Sequence, residues 1–164
     1  MKQLKSFFVG FIVLFYLVSC EHLSMEPDFY CINMFNKTDD FLYVLCRWDT
    51  KNTGLYMKER GLHKDSSLYH IEDVKPNYFD PFFMVERNPE DYLKSTDTLT
   101  VFILDKDEYE GKTWSQIVDS AHFRQIYHLS GDDIRLLNAR VPYPPSEIMR
   151  NMVMVPSYEE AVKQ

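Results

Sequence analysis

The chain of 164 residues has little glycine and little cysteine, with five and three residues respectively. So few glycines exclude a collagen-like fibre, and three cysteines exclude a disulfide-dense small scaffold. An excess of positive charge is also missing, because 25 acidic and 18 basic side chains give a formal charge of −7. Nucleic-acid binding needs a clustered cationic face, so nucleic acid is not an expected partner. A hydrophobic content of 45% is enough for one globular domain.

Motifs that carry catalysis are missing too. The sequence has no Cys-x-x-Cys pair, no Gly-x-Ser-x-Gly elbow and no glycine-rich phosphate loop, and none of its five histidines has zinc-site spacing. A segment that begins at Asp105 and Asp107 resembles a calcium loop, but Glu110 and Gln116 stand where an EF-hand needs glycine and a bidentate acid. We interpret it as a solvated acidic loop, with a non-standard ion site as the alternative. No metal, cofactor or catalytic residue is therefore predicted.

The N-terminus carries an export signal. Lys2 and Lys5 precede an apolar run at 7–18, which is too short for a membrane-spanning helix of about 20 residues and is typical of a secretory signal. The run ends in Leu-Val-Ser-Cys, the pattern of a bacterial lipobox, in which Cys20 receives the lipid. The alternative is an ordinary signal peptide with a coincidental cysteine. Both interpretations export the protein.

This interpretation divides the chain into four segments. Residues 1–19 form the signal peptide, 20–28 a lipidated tether, 29–145 a single domain and 146–164 a C-terminal tail. Two or three acyl chains on Cys20 would anchor the mature protein stably to a membrane. We therefore expect a lipid-anchored protein of the cell envelope, on the outer membrane, with the periplasmic and surface sides both open.

Two runs early in the domain, 30–36 and 41–48, have the composition and alternation of β-strands. The polar segment 37–40 between them has hairpin length. A hairpin with this connection places Cys31 opposite Cys46, and two facing thiols in an exported protein could form a disulfide. Two buried free cysteines are the alternative, because a shift of one residue in register would put the thiols on opposite faces.

The rest of the domain is predicted to be rich in strands. The run 98–104 is the most apolar and indicates a central strand buried on both faces. Capping patterns at Thr113 and Ser130 predict two short helices, and three prolines between 76 and 89 predict irregular passages. The expected fold class is mainly β, an immunoglobulin-like β-sandwich with two short inserted helices. The other predicted strands are 68–71, 82–85, 123–129 and 139–143.

Motifs in the second half of the chain carry a resemblance to known proteins. They are Asp-Lys-Asp at 105–107, Trp114 with Ile117, Tyr-His-Leu-Ser at 127–130, Asp133-Ile134, Leu137-Asn138, Val-Pro-Tyr-Pro-Pro at 141–145 and the methionines Met149, Met152 and Met154. With these motifs, 99–156 resembles a group of small lipoproteins of Bacteroides-type bacteria that has no established activity. Ala139 and Ile126 depart from the pattern, which has tryptophan and arginine there. The resemblance implies a lipoprotein with a β-rich fold.

Two other features concern modification and contacts. Thr98 and Ser120 each follow an aspartate and precede an apolar residue, like the O-glycosylation acceptor triplet of the same bacterial group. A purely structural role is the alternative for both.

The methionine-containing tail, 146–164, is expected to pack back on the domain, with a partner-binding strip as the alternative.

The sequence thus predicts a non-catalytic binding, structural or accessory module that its lipid holds at an envelope membrane. Its protein or glycan partner is not indicated. One variant of this prediction is an immunity-type protein that binds a single protein. The alternative is a small envelope enzyme that acts on glycans through paired carboxylates, since 25 acidic side chains allow such a pair.

Overall fold

The computed structural model of the protein describes residues 30–49, 62–85 and 98–163. Of these residues, 44% lie in strands and 25% in helices, so the protein is mainly β, as predicted. The predicted signal peptide, tether and Cys20 lie outside the described residues. The strands are β1 (Tyr30–Asn36), β2 (Leu42–Asp49), β3 (His70–Val74), β4 (Tyr78–Val85), β5 (Thr98–Asp105), β6 (Gln125–Ser130), β7 (Arg140–Tyr143) and β8 (Val153–Val155).

These strands form two sheets. The three-stranded sheet has the order β4-β1-β7, and the five-stranded sheet has the order β3-β2-β5-β6-β8. Every neighbouring pair is antiparallel except β1 and β7, which run parallel. The first strand of the described chain is therefore the middle strand of the smaller sheet.

Short helices follow the later strands. Thr113 caps the second of them in a reciprocal pair of bonds with Gln116, and Ser130 caps the third in the same way with Asp133. Both capping boxes confirm the predicted helix starts. No helix in the described ranges is long and apolar enough to cross a membrane. The helices are α1 (Lys106–Tyr109), α2 (Trp114–Ser120), α3 (Gly131–Leu136) and α4 (Tyr158–Ala161), with 3-10 turns at Ser66–Leu68 and Glu147–Met149.

Strand β5 lies at the centre of the five-stranded sheet and is buried on both faces, as its sequence predicts. Leu99, Val101 and Ile103 join one core cluster, whereas Phe102 and Leu104 join a second. Successive side chains of a strand point to opposite faces of the sheet. Burial of both sets therefore requires a covering layer on each side of the five-stranded sheet.

The first of these layers is the three-stranded sheet. Ile32 and Met34 of β1, Phe82 of β4 and Val141 of β7 belong to the same core cluster as the inward side chains of β2, β5 and β6. All four are at most 1% exposed. Burial of each such side chain contributes about 1.5–3 kcal/mol, so this shared core holds the two sheets face to face.

The second layer consists of helices and the segment that precedes β3. Tyr109 of α1 and Ile117 of α2 pack with Phe102, Leu62 and Tyr69 in the second cluster. The described chain thus has three layers, namely the small sheet, the large sheet and the helices. The described residues cover both faces of the large sheet but only the inner face of the small one.

The predicted hairpin between β1 and β2 is wrong. Strand β2 is flanked by β3 and β5, and β1 by β4 and β7, so neither has a free side for the other. Asn36, fully buried at the end of β1, donates to the carbonyl oxygens of Asp40 at 2.8 Å and Lys75 at 3.1 Å. These bonds hold 37–40 as a crossover between the two sheets rather than as a tight turn.

The same topology separates the two cysteines. Cys31 lies opposite Met84 in the small sheet, and Cys46 lies between His70 and Val101 in the large one. Both thiols are free, so the disulfide considered for Cys31 and Cys46 is not formed. The reason is that each cysteine belongs to a strand whose two sides already have other partners.

The predicted strand 82–85 forms the second half of β4, whereas the expectation of irregular passages between residues 76 and 89 is wrong at 78–81 and lies outside the described residues at 86–89. Strand β4 begins at Tyr78 and continues through Pro81. It lies at an edge of its sheet, where proline is tolerated because one side makes no ladder bonds. The register shifts between Ile32 and Asn33, which leaves Phe82 as an extra residue in a β-bulge. The bulge directs Phe82 into the core, where it is 1% exposed.

The segment 146–163 contributes to both the large sheet and the core. Within it, β8 pairs with β6, so that Met154 lies opposite Tyr127. Met149, Met152 and Met154 are buried in the cluster between the two sheets. The sequence did not predict β8, because three residues are too few for an alternation to be recognised.

Candidate binding surface

In the described chain, the layers leave the outer face of the small sheet uncovered. In β1 the side chains at 32, 34 and 36 are buried, and those at 31, 33 and 35 point away from the core. The register with β4 and β7 continues this division across the sheet. We call this surface the outer face and define it by Cys31, Asn33, Phe35, Phe79, Pro81, Met84 and Arg140.

Two phenylalanines form the aromatic centre of the outer face. Phe35 and Phe79 lie opposite each other in the ladder, with their ring centroids 6.2 Å apart. They are 38% and 40% exposed, so both rings face solvent. Aromatic pairs at this distance gain about 0.5–1.5 kcal/mol beyond burial, which favours a fixed arrangement of the two rings.

Cations lie against both rings. The Nζ of Lys37 is 5.4 Å from the centroid of Phe35, and the guanidinium carbon of Arg140 is 5.7 Å from that of Phe79. Arg140 therefore reaches across β1 to β4. Exposed cation–π contacts contribute about 0.5–1 kcal/mol each, so they orient the charges without taking them out of water.

The remaining outward positions are apolar or neutral. Met84, opposite Cys31, is 60% exposed, and Pro81 is exposed opposite Asn33. None of the outward positions in β1, β4 and β7 carries a carboxylate. In a chain with 25 acidic side chains, this surface is apolar and cationic.

A buried hydrogen bond joins the small sheet, which carries the outer face, to the large sheet beneath it. The Oη of Tyr127 in the large sheet donates to the carbonyl oxygen of Pro142 in β7 at 3.1 Å. Burial raises the pKa of Tyr127 well above the ordinary tyrosine value, so its hydroxyl keeps the proton that it donates. This bond ties β7, and with it Arg140, to the sheet underneath.

An ion-pair cluster closes one end of the two sheets. Arg124 donates to Asp40 at 2.7 Å and also to Asp105, and it lies near the half-buried phenol of Tyr143. Partial burial lowers the pKa of Arg124, but its hydrogen bonds to the two carboxylates raise it by more. Burial raises the pKa of Tyr143 and the Arg124 charge opposes this rise. Each charge in the cluster has a partner, which indicates a structural role.

A cleft of about 200 Å³ lies where β3 and β4, the edge strands of the two sheets, come together. We call it the edge cleft. The Nε2 of His70 lies 3.0 Å from the carboxylate of Glu72, Asp73 pairs with Lys106 at 2.8 Å, and Asp80 accepts the backbone N–H of Lys75. The cleft is smaller than ligand pockets, which have about 300–1,000 Å³. The other lining residues are Pro81, Phe83 and Met84.

The structure separates the two predicted glycosylation residues. Thr98 is 5% exposed at the start of β5, whereas Ser120 is exposed at the end of α2 and its hydroxyl donates to the carbonyl oxygen of Gln116 at 2.7 Å.

The acidic segment after Asp105 forms α1 instead of an open loop. In the described part of the chain, no group of three His, Cys, Asp or Glu side chains could hold a metal ion.

Comparison with known proteins gives no relative, because no family model, no curated protein and no solved structure matches the chain. The resemblance to small lipoproteins therefore stays a prediction. The outer face and the edge cleft are the two surfaces that bear on function.

Sequence patterns did not single out Phe35, Phe79 and Arg140 as a site. The alternation in β1 is apolar on both faces, with Ile32 and Met34 inward and Phe35 outward, so it does not indicate which set meets water. The sequence predicted only the second half of β4, at 82–85, because Pro81 argued against a strand before it. A usable signal was the lack of acidic residues in 30–36, since exposed strands of an acidic protein ordinarily carry some.

Proposed function

We propose that this protein is a lipid-anchored lipoprotein of the cell envelope, attached to the outer membrane through Cys20, and that it acts as a non-catalytic binding module. Its binding surface is the outer face. The observation that carries this proposal is the exposed Phe35–Phe79 pair with Lys37 and Arg140 against the rings and no carboxylate at the outward positions of β1, β4 and β7.

Exposed apolar surface of this kind supports a contact function. Soluble proteins rarely expose contiguous apolar patches unless a partner covers them. Aromatic residues and arginine are also the residue types enriched where proteins bind their partners. The face is built on a sheet whose inner side is packed against the large sheet, so its side chains are held in place before any contact forms.

We also propose that the two sheets form a sandwich of immunoglobulin-like type. The shared core of β1, β4, β7 and the inner side of the large sheet supports a sandwich. The helical layer over the far side of the large sheet would then be an addition to that framework.

A small enzyme that acts on glycans is the second candidate, and the edge cleft favours it. Glu72, Asp73 and Asp80 are the carboxylates that line the cleft. Catalysis would need one of them as an acid and another as a base or nucleophile. Asp73 is already paired with Lys106 and Asp80 with a backbone N–H, and the cleft holds only about 200 Å³. The binding function is therefore the better supported of the two.

Intact mass of the protein from native membranes tests the anchor. We expect a chain that begins at Cys20 and carries acyl mass, and we expect Cys20→Ala to lack that mass and to leave the membrane fraction. A chain without acyl mass that begins elsewhere would contradict the lipoprotein proposal.

Glycan turnover distinguishes the two candidate functions. The purified protein should release no product from envelope glycans. Activity that Glu72→Gln or Asp80→Asn abolishes, and that Asp119→Asn on α2 leaves intact, would replace the binding proposal by the enzymatic one.

A further inference from the structure

The outer face differs in charge from the chain as a whole. The protein has a formal charge of −7, yet the charged side chains that lie against the rings of this face are Lys37 and Arg140. A surface that combines exposed aromatic and aliphatic side chains with cations complements a surface that is anionic and apolar just beneath its charges. The interface of an anionic bilayer has this composition.

The segment between the proposed lipid anchor at Cys20 and the first strand is short enough to keep the domain close to the membrane. Ten peptide units separate Cys20 from Tyr30, where β1 begins. A chain of that length spans at most about 35 Å. Because β1 is the middle strand of the small sheet and begins at Tyr30, the segment that follows Cys20 joins the domain at one end of this sheet rather than at the helical layer.

From these observations we propose that the outer face docks on the anionic bilayer that holds the lipid anchor. Lys37 and Arg140 contact lipid phosphates, while Phe35, Phe79 and Met84 insert at the level of the headgroups. This proposal names the partner of the proposed binding surface and rests on the lipid anchor proposed above. An acidic protein partner would meet the same charges, and the experiment below includes that outcome.

Two contacts reduce the effect of the acids that border the face. Pro81 and Met84 belong to both the outer face and the edge cleft. In that cleft, Asp73 is paired with Lys106, and the carboxylate of Asp80 accepts the backbone N–H of Lys75, while Glu72 lies 3.0 Å from the Nε2 of His70. The cations on the outer face, by contrast, contact aromatic rings and leave their charge directed to an external anion.

Cys31 reports directly on docking, because it is a partly exposed thiol on the outer face, whereas Cys46 is buried in the core. The full-length lipidated protein is inserted into preformed vesicles of phosphatidylcholine, either alone or mixed with phosphatidylglycerol. The rate at which a membrane-impermeant maleimide labels each cysteine is then measured by peptide mass spectrometry.

We expect Cys31 labelling to be slower on the anionic vesicles by up to about 25-fold, since each of the two cations contributes a factor of about five to docking. High salt should restore the rate, because it screens surface charges. The double variant Lys37→Glu with Arg140→Glu should label equally fast on both vesicles. As a matched control, Lys112→Glu with Arg150→Glu makes the same charge change at two cations that also lie over aromatic rings, and it should behave as the unmodified protein.

Equal labelling of the unmodified protein on both vesicles would overturn the docking proposal. Protection of Cys31 on native membranes but not on anionic vesicles would overturn it as well and would indicate an acidic protein partner. The intact mass of the protein distinguishes failure of the anchor proposal from failure of the docking proposal. A chain without acyl mass contradicts the anchor, whereas an acylated chain with an unprotected Cys31 contradicts docking alone.

Discussion

The guanidinium of Arg124 donates to the carboxylate of Asp40 at 2.7 Å, across 84 positions of sequence. Asp40 ends the crossover between the two sheets, and Arg124 immediately precedes β6. A second nitrogen of Arg124 donates to Asp105, the N-cap of α1. One side chain thereby fastens the crossover to the large sheet and to the first helix.

Replacement of Arg124 by methionine should lower the free energy of unfolding by about 1–2 kcal/mol, because two charge-assisted hydrogen bonds are lost at a site that is 29% exposed and partly screened. Asp40→Asn should cost less, about 0.2–1 kcal/mol, because Asp40 is 55% exposed. Urea unfolding of both single variants and of the double variant gives the coupling between them. Strict additivity of the two losses would show that this pair does not stabilise the fold.

Tyr127→Phe removes the bond between the two sheets without changing the shape of the core. The carbonyl oxygen of Pro142 loses its donor in a buried place, which should cost about 1–3 kcal/mol in urea unfolding. Tyr78→Phe is the matched control, because the side chain of Tyr78 is 53% exposed. It should change stability by less than about 0.5 kcal/mol. Equal effects of the two variants would mean that the inter-sheet bond contributes nothing.

The two cysteines should react very differently in the folded protein. Cys46 is 1% exposed and its Sγ lies 3.7 Å from the carbonyl oxygen of Phe82. Burial raises its pKa from 9.0 to about 12, which keeps it in the unreactive thiol form at neutral pH. Alkylation followed by peptide mapping should therefore modify Cys31 alone, and both residues after unfolding in urea without reductant. If neither reacts in urea, the two thiols are joined after all.

The raised pKa of Cys46 also makes stability depend on pH in the alkaline range. The thiol has its full stabilising effect below pH 9, and this effect decreases as pH rises towards about 12, because the unfolded chain loses the proton first. The loss between pH 9 and pH 10 amounts to about 1 kcal/mol. Tyr43, Tyr109, Tyr127 and Tyr143 also have raised pKa values, so their contribution to stability also begins to decrease as pH approaches their ordinary value of 10.

Urea unfolding at pH 8, 9 and 10 measures this decrease. The variant Cys46→Ala should be less stable throughout, because it leaves a cavity, but between pH 9 and pH 10 it should lose about 1 kcal/mol less than the unmodified protein. A parallel decline in both proteins would assign the alkaline loss to another group.

The sequence by itself determined the features that depend on near neighbours. The capping boxes at Thr113 and Ser130 start two helices where the hydroxyl and the side chain three residues later can exchange bonds. The run 98–104, in which only Thr98 and Thr100 are polar, indicated burial on both faces, since a strand with one face in water alternates apolar and polar side chains. The export signal and the lipidation of Cys20 are predictions of the same local kind, and they await the mass measurement.

Only the tertiary structure decided which strands are neighbours. A connection of hairpin length joins β1 to β2, yet each strand pairs elsewhere, because the buried area of both sheets together outweighs one local hairpin. This pairing of strands places Cys31 and Cys46 in different sheets and brings Phe35, Phe79 and Arg140 onto one face. Alternation within a strand shows that it has two faces, but which face meets water depends on the layers that the rest of the chain supplies.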